Sequence, residues 1–125
     1  MNVSCGDTFL IEDEEGYDCH LWIILTPVTE GEVVIVSVTT ERRRSETLVK
    51  LNSGDHPFIK HPSVIAFAYS KVVTVESIET AIRNGVAKSR ESASQTLLKK
   101  AQSGLLESDR TPHDVKHLYK VFMGL

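Results

Sequence analysis

Hydrophobic positions fall in short, strand-length runs over the first sixty per cent or so of the chain and at helical spacing over the rest. Gly6-Asp7 leads into Thr8-Phe9-Leu10-Ile11, a short first strand, and an acidic loop follows, Glu12-Asp13-Glu14-Glu15, ended by Gly16. His20 to Thr26 is a near-continuous apolar run stopped by Pro27, the pattern of a buried strand, with Trp22 read as core. Thr29-Glu30-Gly31-Glu32 predicts a hairpin loop, and Val33 to Thr40 is the strongest β signal, dense in β-branched residues. Glu41 to Glu46 is a charged loop, Leu48 to Leu51 resumes extended structure, and Ser63–Tyr69 and Val72–Val75 read as two further strands.

The period then changes. Ser77 to Asn84 sets Ile78, Ala81 and Ile82 on one helical face and ends at Gly85. Ser92-x-x-Gln95 has the form of a capping box ahead of Ala93, Leu97, Leu98, Ala101 and Leu105, with Gly104 interrupting near the end. Thr111-Pro112-His113-Asp114 predicts an N-cap, a proline at the first helical position and an acid in the first turn. Val115, Leu118, Tyr119 and Phe122 form the buried stripe of that last helix. Strands first and helices after describe an α+β domain, a small barrel-like sheet with helices packed against it.

Composition narrows the functional classes. A chain of 125 residues buries a real core without disulfides or metal, so one domain over 1-125 is expected. The net charge of −3 argues against a protein that coats nucleic acid by bulk charge, though not against one with a local basic patch. No apolar run approaches the roughly 20 residues of a membrane span. The N-terminus has no basic and apolar leader pattern, so a cytoplasmic protein with no membrane partner is expected, and Cys5 and Cys19 are expected to be free thiols.

The candidate chemistry gathers between Asn52 and Ser63. His56 and His61 each precede a proline, which drives both out of the helical region, and Ser53-Gly54-Asp55 reads as a turn. Loops on a rigid scaffold are where reacting groups concentrate. Against this stands a bland alternative: Asp55 closes a turn on its own backbone, Phe58 and Ile59 plug the core, and the histidines are solvated. Cys19-His20 with His56 and His61 has the ligand types of a zinc site but lacks paired ligand spacing, and His113 and His117 lack the glutamate of a zinc-protease helix, so no metal and no cofactor is expected. Arg42-Arg43-Arg44 is either a solvated loop neutralised by Glu41 and Glu46 or a phosphate-tracking one.

In strand order and pattern the chain resembles the PemK/MazF family of toxin ribonucleases. Gly6-Asp7 matches a dipeptide that family places at its first strand, His20 to Thr26 is similar to its Arg-Pro-apolar strand, and Val33 to Thr40 to its strand ending Ile-Thr-Ser. Ser63-Val64-Ile65 and Val72 to Val75 resemble its late strand pair, so the likeness spans roughly Gly6 to Leu106. It implies an SH3-like β-barrel of about five or six strands (about 6-75) followed by C-terminal helices (about 76-125). It also implies a homodimer, a cognate antitoxin and cleavage of single-stranded RNA. Thr39 stands at the family's catalytic threonine, whereas His20-Leu21 replaces its Arg-Pro pair, exchanging a permanent cation for a group only partly charged near neutrality.

RNA cleavage without metal requires a base for the 2′-hydroxyl, an acid for the leaving oxygen and a cation for the phosphorane. With a reference pKa of about 6.5, histidine serves as either acid or base near neutrality. The candidate catalytic residues are therefore His20, Thr39, His56 and His61, and the candidate RNA contacts Arg42, Arg43, Arg44 and Lys60. Tyr17, in the loop just before the second strand, is free to stack on a base but has no motif behind it. The competing reading is a non-catalytic interaction module on the same barrel, favoured by the missing arginine and the acidic balance.

Overall fold

The structure, a computed structural model, describes residues 3–12 and 19–125. Its elements are β1 (Thr8–Glu12), β2 (Cys19–Ile24), β3 (Glu32–Thr40), β4 (Lys50–Leu51), β5 (Ser63–Thr74), α1 (Val75–Arg83), β6 (Ala87–Arg90), α2 (Gln95–Glu107) and α3 (His113–Met123). The strands make one antiparallel sheet in the order β4-β5-β3-β2-β1-β6, curled into a half-barrel, so the fold is α+β and barrel-like. Of the acidic loop read from Glu12 to Gly16, only Glu12, the end of β1, lies among the described residues; Tyr17 lies outside them.

Local chemistry accounts for most boundaries. Glu30 and Gly31 between β2 and β3 both take positive φ, 50° and 78°. Thr29 and Glu32 exchange both backbone hydrogen bonds at 3.0 Å, a two-residue turn whose twist suits the flanking strands. Ser94, not Ser92, caps α2, its hydroxyl accepting from the Leu97 N–H at 3.1 Å. Thr111 does not cap α3; its hydroxyl donates to the Leu105 carbonyl at 2.8 Å and ties the end of α2 to the start of α3. A Cβ at Gly104 would collide with the Phe67 ring and with Val49, so the glycine sets how closely α2 approaches β5.

Two differences from the sequence pattern matter for the site. The runs read as separate strands at 63–69 and 72–75 are one strand, β5, broken by a bulge. Ile35 pairs with Lys71 and Ser37 with Ala66, leaving Phe67 to Ser70 opposite Val36 alone. Phe67 turns fully inward, Tyr69 stands 72% exposed, and the Ser70 hydroxyl donates to the Phe67 carbonyl at 2.7 Å across the bulge. The sheet also does not end near residue 75: after α1 the chain returns as β6, whose Ala87 to Arg90 pair with Ile11 to Thr8. With no aromatic or β-branched residue, β6 has little strand propensity of its own. Its ladder to β1 supplies it.

The two faces of the sheet are covered unequally. Leu21, Ile23, Val34, Val36 and Val38 pack with Leu97, Leu98, Ala101 and Leu105 of α2 and Val115 and Tyr119 of α3. On the other face Phe9, Ile24, Val33 and Ile35 pack with Ile78 of α1. That helix covers one end only, so His20, Trp22, Ser37, Thr39 and Ala66 line an open concavity beyond it. Both cysteines are free thiols, and among the described residues no helix is long and apolar enough to cross a membrane.

Candidate functional site

The loop from β4 to β5 is fixed by its own polar groups. Asp55 accepts from the Asn52 N–H at 2.8 Å, and the Ile59 N–H donates to the His56 carbonyl at 2.8 Å. Ile59, 3% exposed, drops into the main core. His56 is 1% exposed, and both of its ring nitrogens are engaged. Nδ1 accepts from the Phe58 N–H at 3.0 Å, which leaves Nε2 to carry the proton and donate to the Glu91 carbonyl at 2.6 Å. The Thr8 hydroxyl donates to the same carbonyl at 2.7 Å and lies 3.3 Å from Nε2. Glu91 follows β6 and Thr8 begins β1, so His56 bridges the two edges of the curled sheet. Arg90 lies 5.7 Å from the centre of the Phe58 ring along the same seam.

Past that clasp the loop runs along a cleft of about 340 Å³. His20 from the start of β2, Thr39 and Thr40 from the end of β3, Arg42 beyond it, and Lys60 and His61 from the loop all line it, with Cys19, Phe58 and Ser63. The structure thus brings together His20, Thr39, Arg42, Lys60 and His61 and leaves His56 buried outside the cleft, as the bridging of the sheet edges requires. Arg42 is held in a tight turn, its N–H donating to Ser45 Oγ at 2.7 Å. His61 is exposed, with its carbonyl accepting from the Ser63 hydroxyl at 2.9 Å, while the Pro62 carbonyl accepts from the Glu41 N–H at 3.0 Å. Those two bonds join the loop to the end of β3. Glu41 pairs with Lys50 at 3.4 Å, and among the described residues neither Arg42 nor Lys60 makes an ion pair. The cleft wall is therefore cationic, suited to a phosphate.

Arg43 and Arg44 are exposed beside Arg42 without lining the cleft. Glu46, at the far end of the arginine loop, accepts from the buried Ser108 hydroxyl at 2.5 Å, which ties that loop to the α2–α3 junction. His113 and His117 are exposed on α3. Among the described residues no three histidine, cysteine or acidic side chains group closely enough for a metal ion; Cys19, His20 and His61 share the cleft but His56 does not. Elsewhere, burial pushes the Cys5 thiol up, the Asp7 charge adding to it, and burial likewise raises the Tyr119 hydroxyl, with a smaller push from Cys5.

A second concavity, about 570 Å³, adjoins the cleft and shares His20 and Thr39 with it; Trp22, Ser37, Ala66, Tyr69 and Lys71 complete its lining. The sequence pattern hides this surface. Trp22 lies in an unbroken apolar run and reads as core, yet strand alternation puts it with His20 on the outer face, half-buried. Nothing in the local pattern marks the bulge: Ala66-Phe67-Ala68-Tyr69-Ser70 alternates small and large as an unbroken strand would, yet Phe67 is buried and Tyr69 exposed.

No protein-family model and no curated protein is similar to the chain at the level of sequence. Among solved structures, an endoribonuclease in complex with its cognate antitoxin from a mycobacterial species matches with a TM-score of 0.56. The match covers 89% of this chain and 98% of that one, at 16% sequence identity. The fold is PemK/MazF-like. At that identity the likeness speaks for the backbone arrangement and leaves the chemistry to be argued from the cleft.

Proposed function

We propose that this protein is a toxin-type endoribonuclease that cleaves single-stranded RNA at the His20–Thr39–His61 cleft without a metal ion. The observation that carries the reading is the meeting, in one cleft, of two histidines, a threonine and two cations drawn from three separate chain segments. One histidine takes the proton of a ribose 2′-hydroxyl, and its oxygen attacks the adjacent phosphorus. The other histidine protonates the departing 5′-oxygen, so that a 2′,3′-cyclic phosphate and a 5′-hydroxyl end result. Arg42 and Lys60 stabilise the added negative charge on the phosphorane, and Thr39 donates a hydrogen bond to a phosphate oxygen. Arg43 and Arg44 extend the cationic surface for flanking phosphates. His56 acts as a positioning residue, holding the loop that carries Lys60 and His61. The likeness to an endoribonuclease in complex with its cognate antitoxin supports a cognate antitoxin as partner, and a homodimer is the assembly that the sequence resemblance to the PemK/MazF family implies.

The test is incubation of purified protein with mixed-sequence single-stranded RNA in the presence of a chelator. Fragments ending in cyclic phosphate are expected, with a bell-shaped pH profile, and loss of cleavage in His20→Gln and His61→Gln. Absence of cleavage, or full activity in both variants, would overturn the assignment and return the barrel to the class of interaction modules.

A further inference from the structure

The concavity beside the cleft has features that the cleavage chemistry does not use. It is walled by two aromatic side chains from different strands, Trp22 on β2 and Tyr69 on the β5 bulge. Phe9, Trp22, Ser37 and Ala66 form one cross-strand row by register, so the floor beside Trp22 is small and flat. Four residues of β5 stand where one would keep the ladder regular, and the result is a large aromatic held in solvent at 72% exposure. Bulges re-aim side chains beside functional sites, and this one turns Tyr69 toward the groove that Trp22 lines. Lys71, just past the bulge, sets its Nζ 4.9 Å from the centre of the Trp22 ring. Two aromatic side chains and a cation lying over one of them, at a volume within the roughly 300–1,000 Å³ of ligand pockets, fit a planar ring that carries a negative charge nearby.

We infer that this groove is a base-stacking subsite: a nucleobase of single-stranded RNA, next to the scissile linkage, seats against Tyr69 and Trp22 while Lys71 meets the strand's phosphate. The inference rests on the reading of the cleft as an RNA site and adds to it a path for the strand. Because the two concavities share His20 and Thr39, a strand crossing from the cationic cleft to the aromatic groove passes directly over those groups. Charge complementarity selects the occupant: Arg42, Lys60 and Lys71 along the path call for a polyanion, and the aromatic walls call for exposed ring faces. Paired bases bury those faces in the duplex, so the groove selects single strands. Every base has a π-face, and the subsite therefore contributes affinity and placement with little sequence preference.

Trp22 is the sole tryptophan of the chain, so its emission reports on the groove alone. The experiment titrates the protein with a mixed-sequence 2′-O-methyl single strand, which cannot be cleaved, and follows both Trp22 emission and the anisotropy of a label on the strand. Saturable quenching is expected, with affinity lowered roughly five- to a hundredfold in Tyr69→Ala, the range for loss of one stacked base, and restored in Tyr69→Phe. A strand that binds without changing Trp22 emission, and as tightly to Tyr69→Ala, overturns the subsite and leaves the cleft reading standing. A strand that does not bind, from a protein that also fails to cleave RNA, removes both. A duplex of the same sequence bound as tightly, or an acidic peptide that quenches Trp22 at lower concentration than the strand, also overturns the inference, the second result giving the groove to a protein partner.

Discussion

His56-Pro57 and His61-Pro62 are the same dipeptide, in one loop, under the same backbone restriction, and they end in opposite environments. The first is 1% exposed with both ring nitrogens bonded; the second is exposed at the rim of a cationic cleft. What separates them is the partner each meets across the barrel. His56 meets the Glu91 carbonyl and the Thr8 hydroxyl from the far edge of the sheet, whereas His61 meets open cleft. A histidine's role is thus set by what lies opposite it, and neighbouring sequence carries no trace of that.

Four experiments break or sharpen this contrast. The largest effect is expected at the apolar anchor between the two histidines. Ile59→Ala should cost about 2–5 kcal/mol in denaturant unfolding, since the side chain is buried in the main core. A cost under about 0.5 kcal/mol would mean that the loop is not held by its core contact. Next, His56→Gln should cost roughly 1–3 kcal/mol, because glutamine cannot satisfy both the Phe58 N–H and the Glu91 carbonyl along the same path. His61→Gln should change stability by less than about 0.5 kcal/mol while removing RNA cleavage. If the two variants unfold at the same denaturant concentration, the contrast is gone. Thr8→Val, which keeps the shape and loses the hydroxyl, should cost about 1 kcal/mol and be non-additive with His56→Gln, as members of one bonded cluster are.

The smallest effect lies away from both histidines and serves as a control on them. Cys5 and Tyr119 are held protonated to higher pH in the folded chain than in the unfolded one, through burial first. Stability from this source is intact below the ordinary thiol range, about pH 8.5, and falls as pH rises through it, because the unfolded chain releases protons that the folded chain retains. Chemical denaturation at increasing alkaline pH should show that decline, and Cys5→Ala should make it shallower. An unchanged slope in that variant would assign the decline to other groups.

The sequence makes legible what depends on local pattern. The apolar strands β2 and β3, the helical spacing of α2 and α3 and the turn at Glu30-Gly31 all stand close to where the residues place them. The meeting of the start of β2 and the end of β3 with Lys60 and His61 is not local pattern, because strand register, which the residues do not show, brings them to one cleft. Three further features escape the local pattern for one physical reason, that long-range pairing outweighs local preference. Ala87 to Arg90 becomes a strand only because β1 offers an unpaired edge. Ser92 loses the α2 cap to Ser94, and the Ala93 N–H just ahead of that cap donates to the Gly6 carbonyl instead. Tyr69 faces solvent because β3 supplies one residue where β5 supplies four.

The clasp at His56 also sets an order of events. It joins Thr8, His56 and Glu91, residues separated along the chain by 48, 35 and 83 positions. Contacts so distant in sequence close late and slowly, since most of the loop entropy must be lost before any of them forms. On the ribosome, β2, β3 and β5 are all synthesised before Glu91 exists, and the loop bearing Lys60 and His61 waits for it. The cleft is therefore among the last parts of the molecule to be assembled, so a half-made chain is an incomplete sheet without the cleft.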